Sequence, residues 1–283
     1  MSLVHTLLFF IRSDHYEDDL IQAKQCLKSL AKSTYKKVVI YNQGILSNSE
    51  VKRLAEQYGL TSFILGDGTN IGIVVGRQKC FEFIWDELPD TQYISEIHVD
   101  MIFTDCWENK LIDYLEANDE PMISCGIVDS CGSCPSLDEQ TQELPESSDE
   151  WTPFLSSLRQ NIITPGFTHP CIHVAKVLQA VGGYDLDFFK GNQCFEDDGL
   201  LIAYYLYYGI RADWYPKINY NSVVYHAIAM QRLGQGDYMQ NYLGLIQEYG
   251  VKGLRYLSRL HANPYQKEFF EKQFNYLSGS FNN

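Results

Sequence analysis

Residues 93–107 read YISEIHVDMIFTDCW. An apolar run of strand length closes on polar residues and passes directly into a helix start. Glu96, His98 and Asp100 alternate along it, and alternate side chains of an extended strand leave on the same face. Two carboxylates and an imidazole side by side are costly unless a cation is bound among them. The stretch therefore predicts a divalent metal on Asp100 with His98, the metal in turn holding a diphosphate. A hydrogen-bonded His–Asp pair at a strand end is the plainer alternative.

The segments upstream set this strand in a series. Thr6–Ile11, Lys37–Tyr41 and Thr61–Leu65 are continuous apolar runs, as suits parallel strands covered on both faces. Between them, Glu17–Ser33 carries Leu20, Ala23, Leu27 and Leu30 at helical spacing. A second helix is opened by the pair Ser47 and Glu50 and stopped by Gly59. A third follows the glycine-rich connection 66–76 and is ended by Pro89. Three strand–helix alternations predict βαβ units and a mostly parallel sheet flanked by helices. Ligands of such sheets bind beyond the carboxyl ends of the strands. There the pattern gathers Ser13 and Asp14, Asn42, Gly66 and Asp67, and His98 with Asp100.

Downstream, the spacing predicts a helix over 105–116, a strand over 121–127 and an acidic surface loop over 137–151. Then comes GGYDLDFFKGNQCFEDD, residues 182–198, running into an apolar helix from Leu200 to Tyr208 that Gly209 ends. A short strand within 214–226 ends in VVYHA, and amphipathic helix continues from Arg232. Residues 161–200 are dense in Gly, Pro, His, Asp and aromatics, and acceptor contacts are expected from 161–195.

The chain has 283 residues, 45% hydrophobic, with a formal charge of −14. Such acidity disfavours nucleic acid and anionic membrane surfaces as partners. An anionic substrate would need a bound cation or a few placed Arg and Lys residues. No apolar run is long enough to predict a transmembrane segment, and the start reads as a first strand rather than a signal peptide. A cytoplasmic protein is expected. Of the eight cysteines, Cys131 and Cys134 form a CxxC beside Cys125. With no fourth zinc ligand at a matching spacing, a zinc-stabilised interaction module stays a remote alternative.

The ordered motifs resemble those of GT-A-fold glycosyltransferases, in particular glycosyltransferase family 2, over roughly residues 5–250. The resemblance implies a Rossmann-like nucleotide-diphospho-sugar transferase fold. It spans 1–230, with a donor-binding half to about 100 and an acceptor-binding half to 230. A helical extension, 231–283, is packed on the same domain. Asn42-Gln43-Gly44 stands where the family has an Asp-led turn contacting the base. Asn70-Ile71-Gly72 and Gly76-Arg77-Gln78 resemble its N-x-G…(A/G)-R-N element on the nucleotide and phosphates. His98-Val99-Asp100 occupies the Asp-x-Asp metal position with His replacing the first Asp. Gly182-Gly183-Tyr184-Asp185 followed by Glu196-Asp197 resembles the GGFDE…ED element that carries the catalytic base. His226 matches a His that ends a strand near the metal. Glu248 stands where Lys is usual before Tyr249-Gly250.

The resemblance thus implies nucleotide-sugar contacts from Arg12, Asn42, Asn70, Gly72, Arg77 and His98. It implies metal ligation by Asp100, His98 and His226, with Mn2+ or Mg2+ as cofactor. Asp197 or Glu196 would be the base, Asp197 preferred. Acceptor contacts are expected from Thr168, His169, Tyr184, Phe188 and Phe189. The activity implied is an inverting transfer from a nucleotide-diphospho-sugar to a carbohydrate or other hydroxyl acceptor, by a chain that a homo-oligomer would also accommodate. A GT-A scaffold that binds nucleotide or sugar without turnover is the alternative, since Asn42, His98 and Glu248 depart from the family pattern.

Overall fold

A computed structural model describes residues 1–134, 141–209, 213–227 and 238–280. The first half alternates as the sequence predicts: β1 (Leu3–Phe9), α1 (Tyr16–Leu30), β2 (Lys37–Asn42), α2 (Asn48–Gln57), β3 (Thr61–Gly66), α3 (Ile73–Glu87) and β4 (Tyr93–His98). Every residue of β1 is buried, because alternate side chains feed two cores. Leu3 and Leu7 face Leu27 and Leu30 of α1 and Val51 and Ala55 of α2. Val4 faces the other way, among Phe81 and Ile84 of α3. The start of α2 carries the expected capping box: Glu50 N donates to Ser47 Oγ at 3.3 Å and Ser47 N to Glu50 Oε2 at 2.8 Å.

The second half holds β5 (Met101–Ile102), α4 (Asn109–Ala117), β6 (Met122–Val128), α5 (Trp151–Ser157), β7 (Ile163–Pro165), β8 (Cys171–Val174), α6 (Ala175–Ala180), α7 (Glu196–Tyr207), β9 (Lys217–His226), α8 (Tyr238–Leu260) and α9 (Pro264–Ser280). The sheet runs β3-β2-β1-β4-β8-β6-β9-β5, with β7 added on β9. The pairings β1–β2, β2–β3 and β1–β4 are parallel, so the carboxyl ends of these four strands share one edge. The second half is mixed. Strand β8 lies antiparallel between β4 and β6, while β6 and β9 are parallel.

Strands β7 and β8 and helix α6 fall where the sequence reading placed no regular structure. Strand β8 is four residues long, CIHV. That is too short to show a period, and Cys171 and His173 break up its apolar character. The helical C-terminal segment is present and is bent where Gly250, at φ 65°, interrupts α8. Helix α8 is tied to the body by Asn241, whose Oδ1 accepts from Gly191 N at 2.6 Å. The first part of the acidic loop, 137–140, and the start of the predicted C-terminal helix, 231–237, lie outside the described residues. Among those described, no helix is long and apolar enough to cross a membrane.

Candidate functional site

Strand pairing assembles a three-residue cluster at the carboxyl edge of the sheet. Strand β4 ends at His98, and Val99 and Asp100 turn the chain into β5. Met101 of β5 pairs directly with His226, the last residue of β9, and Ala227 N donates to the Asp100 carbonyl at 3.2 Å. The side chains follow. His226 Nε2 stands 3.5 Å from Asp100 Oδ1, and the rings of His98 and His226 meet edge to face at 5.1 Å. Ligand atoms of His98, Asp100 and His226 all lie within 4.8 Å of one another. Two imidazoles and one carboxylate are a donor set for a divalent transition cation, softer than the all-oxygen shells that Mg2+ and Ca2+ favour. The residues present therefore fit the metal that the resemblance implies.

Glu96, grouped with these two in the sequence reading, belongs to a different layer. It is 1% exposed and meets side chains rather than the cleft. Arg77 Nε lies 3.0 Å from its Oε2, His173 Nε2 lies 2.8 Å from its Oε1, and Tyr184 Oη stands 3.0 Å from its Oε2. Burial alone would raise the Glu96 carboxyl. The hydrogen bond from His173 and the charges of Arg77 and the histidines outweigh it and hold the group down at about 2.

This layer corrects three expectations. Arg77 is fully buried and its guanidinium donates to Thr6 O, Thr6 Oγ1 and Ile97 O at 2.6–3.0 Å. It locks β1 to β4 and neutralises Glu96, so it does not reach a diphosphate. Asn42 is likewise buried: its amide donates to Leu46 O and Asn48 Oδ1 and its Oδ1 accepts from Gly44 N. It closes its own turn instead of presenting an edge to a base. Tyr184 is 3% exposed, with its ring stacked on Phe81, so it offers no face to an acceptor sugar. Each residue has a large hydrogen-bonding capacity that burial obliges it to satisfy internally.

The other candidates stand nearer the surface. Arg12 sits just past β1 in a two-point pair with Asp19 of α1, at 2.8 and 2.9 Å. Asn70 is exposed and its Oδ1 accepts from Gly72 N. Gly72, at φ 84°, opens α3 and brings Ile73 N onto Asn192 O at 2.8 Å. A Cβ there would stand 3.0 Å from Asn192 Cα. The glycine-rich connection is thus docked on the 182–198 segment.

The end of that segment delivers its last three acids, Glu196, Asp197 and Asp198, to three environments. Cys194 and Phe195 take left-handed backbone angles, φ 71° and 63°, at a cost of roughly 1–2 kcal/mol each. The Phe195 ring is held among Tyr242, Phe269 and Phe270. From this bend α7 starts with Glu196 buried at 4% exposure. Asp198 turns to His261 Nε2 at 2.6 Å. Asp197 alone faces the cleft, its side chain 31% exposed. Its Oδ1 accepts from Tyr184 Oη at 3.1 Å and lies 3.7 Å from His169 Nε2. His169 in turn stacks on His98 at 4.9 Å. One imidazole therefore links the metal-ligand cluster to the exposed acid.

His173 and Tyr204 are the residues the sequence reading missed, and Gln78, read as part of the nucleotide element, is buried against the 182–184 turn. His173 Nδ1 meets Tyr204 Oη at 2.8 Å. Gln78 holds the 182–184 turn, donating to Gly182 O and accepting from Tyr184 N. A His inside the apolar run CIHV was the available signal. The grouping of Cys125, Cys131 and Cys134 gains no support: among the described residues, neither cluster of metal-ligating side chains includes them.

No family model matches this chain, and no curated protein matches it. Solved structures do. A crystal structure of S. aureus TarS aligns over 92% of this chain and 43% of its own, at 11% identity and a TM-score of 0.56. TarS 1–349 in complex with UDP aligns over 91% and 64%, at 9% identity and 0.53. TarS 1–349 with UDP-GlcNAc aligns over 97% and 71%, at 10% identity and 0.53. This chain spans less than half the length of the first of these. The α/β fold expected from the sequence, a central sheet flanked by helices with a helical C-terminal segment, is the fold it shares with TarS.

Proposed function

We propose that this protein is a nucleotide-sugar glycosyltransferase, similar to family 2, that transfers a sugar to a hydroxyl acceptor with inversion. One observation carries the reading. The cluster of His98, Asp100 and His226 and the exposed acid Asp197 stand on the two sides of His169, at the carboxyl edge of a sheet whose fold neighbours hold UDP and UDP-GlcNAc.

In this reading His98, Asp100 and His226 hold a divalent cation, Mn2+ ahead of Mg2+. When bound, it would supply Lewis-acid stabilisation to the leaving diphosphate. Asp197 accepts the proton of the acceptor hydroxyl, a contribution of typically about 10²–10⁴-fold. Asn70 and Gly72 border the nucleotide, and His169 lies between donor and acceptor. A single displacement with one general base inverts the anomeric centre. The test is a thermal-shift screen of UDP-, GDP-, dTDP- and CMP-sugars with and without Mn2+. Stabilisation by one nucleotide class that grows with Mn2+ is expected, and no response to any of them would defeat the reading.

The inward turn of Arg77 and Asn42 favours a second reading, in which the scaffold binds nucleotide or sugar without turnover. Donor hydrolysis with Mn2+ separates the two.

A further inference from the structure

The hydroxyl of Tyr184 lies between two carboxylates. Tyr184 Oη is 3.0 and 3.2 Å from the two oxygens of Glu96 and 3.1 Å from Asp197 Oδ1. A phenol has one proton to donate. Glu96 already meets His173 at 2.8 Å and has its charge balanced by the Arg77 guanidinium 3.0 Å away, so it has least need of that proton. Asp197 has His169 Nε2 at 3.7 Å from the same Oδ1, beyond hydrogen-bond reach. Beside Asp197 on α7, Glu196 is buried and Asp198 is turned to His261.

The phenol itself cannot swing. Its ring stacks on Phe81 with 5.8 Å between centroids and 15° between planes. Its backbone N donates to Gln78 Oε1 at 2.8 Å, and Gly183 before it sits at φ 69°, where a Cβ would come 2.4 Å from that same Oε1. A rigid donor fixes its acceptor, and an ionised acceptor strengthens the bond.

We propose that Tyr184 is a positioning residue for Asp197: its buried hydroxyl carries the single proton between Glu96 and Asp197 and, by donating it to Oδ1, holds the Asp197 carboxylate in one orientation at the cleft. The proposal deepens the transferase reading and rests on it for the role of Asp197 as base. Arg77 and His173 act through the same point. By satisfying Glu96 they leave the tyrosine proton to Asp197.

Two double-mutant cycles with Tyr184→Phe and Asp197→Ala test it. The first reads urea unfolding of the full chain and needs no substrate. If the bond exists, the effects of the two substitutions on the unfolding equilibrium are less than additive by about 3- to 10-fold. Additivity within about 2-fold overturns the proposal. The second reads hydrolysis of UDP-GlcNAc with Mn2+. Tyr184→Phe should lower kcat about 10-fold or more with KM unchanged, and should cost nothing further in the Asp197→Ala background. An equal loss in both backgrounds marks a merely structural tyrosine and overturns the positioning role. If the wild-type chain hydrolyses no nucleotide sugar, the transferase reading is what fails, and the unfolding cycle still decides whether the bond exists.

Discussion

His226 Nε2 stands 3.5 Å from Asp100 Oδ1, although the two residues are 126 positions apart in the chain. Backbone pairing of Met101 with His226 imposes this proximity, so the strand register itself assembles the cluster. Removing the carboxylate takes away its only anionic donor. Asp100→Asn should abolish Mn2+-dependent stabilisation by a nucleotide sugar in a thermal-shift assay and leave the melting temperature without ligand within about 2 °C. His226→Gln should weaken the response by about 10-fold or more in apparent Mn2+ affinity. Equal protection of the wild type in EDTA and in Mn2+ would sink the assignment.

Of the two acids named as base, the structure exposes one. Asp197→Asn should lower turnover by about 10²–10⁴-fold with little change in donor affinity. Glu196 is 4% exposed, so Glu196→Gln is expected to act on stability first and on turnover only modestly. Steady-state kinetics beside urea unfolding of both variants checks this. A larger kinetic loss in Glu196→Gln would reverse the assignment.

The docking of the glycine-rich connection rests on one backbone angle. Gly72 sits at φ 84° and a Cβ would press on Asn192 Cα at 3.0 Å. Gly72→Ala should cost about 1–3 kcal/mol and lower the melting temperature by several degrees. It should also weaken nucleotide protection, because the same contact orders Asn70. A variant as stable as the wild type would mean that the connection shifts without consequence.

What was legible in the sequence was whatever local pattern or ordered spacing controls. The strand ends could be placed at one edge because β1 to β4 are long apolar runs separated by well-marked helices. The ordered motifs group His98, Asp100 and His226, and the fold brings their side chains within 4.8 Å although the last two are 126 positions apart. What stayed hidden depends on tertiary partners. An Arg following a glycine-rich loop reads as a phosphate contact until a buried Glu96 appears 3.0 Å away. A Tyr after Gly-Gly reads as a sugar platform until Phe81 covers its ring. Glu96 itself alternates with His98 and Asp100 as the pattern says, but only strand geometry tells how deep each lies. Strand β8, four residues bearing a buried histidine, has no period to detect and still makes the sheet mixed.

Arg77 and Glu96 are 0% and 2% exposed in their side chains, so breaking the pair leaves a buried carboxylate with too little compensation. Arg77→Met should destabilise the fold by roughly 3–5 kcal/mol at neutral pH. The pH dependence has a definite sign. The Glu96 carboxyl is held at about 2 in the folded chain against an ordinary 4.5. A depressed carboxyl contributes stability that is fully present above its unfolded value and is lost as pH falls through the folded one. The unfolded chains titrate alike, so the gap in stability between wild type and Arg77→Met should start to narrow where Glu96 of the variant takes up its proton and go on narrowing down to about pH 2. Urea midpoints of both proteins at half-unit intervals over that range test it. A gap that stays constant down to pH 2 would show that Arg77 does not act by holding the charge of Glu96.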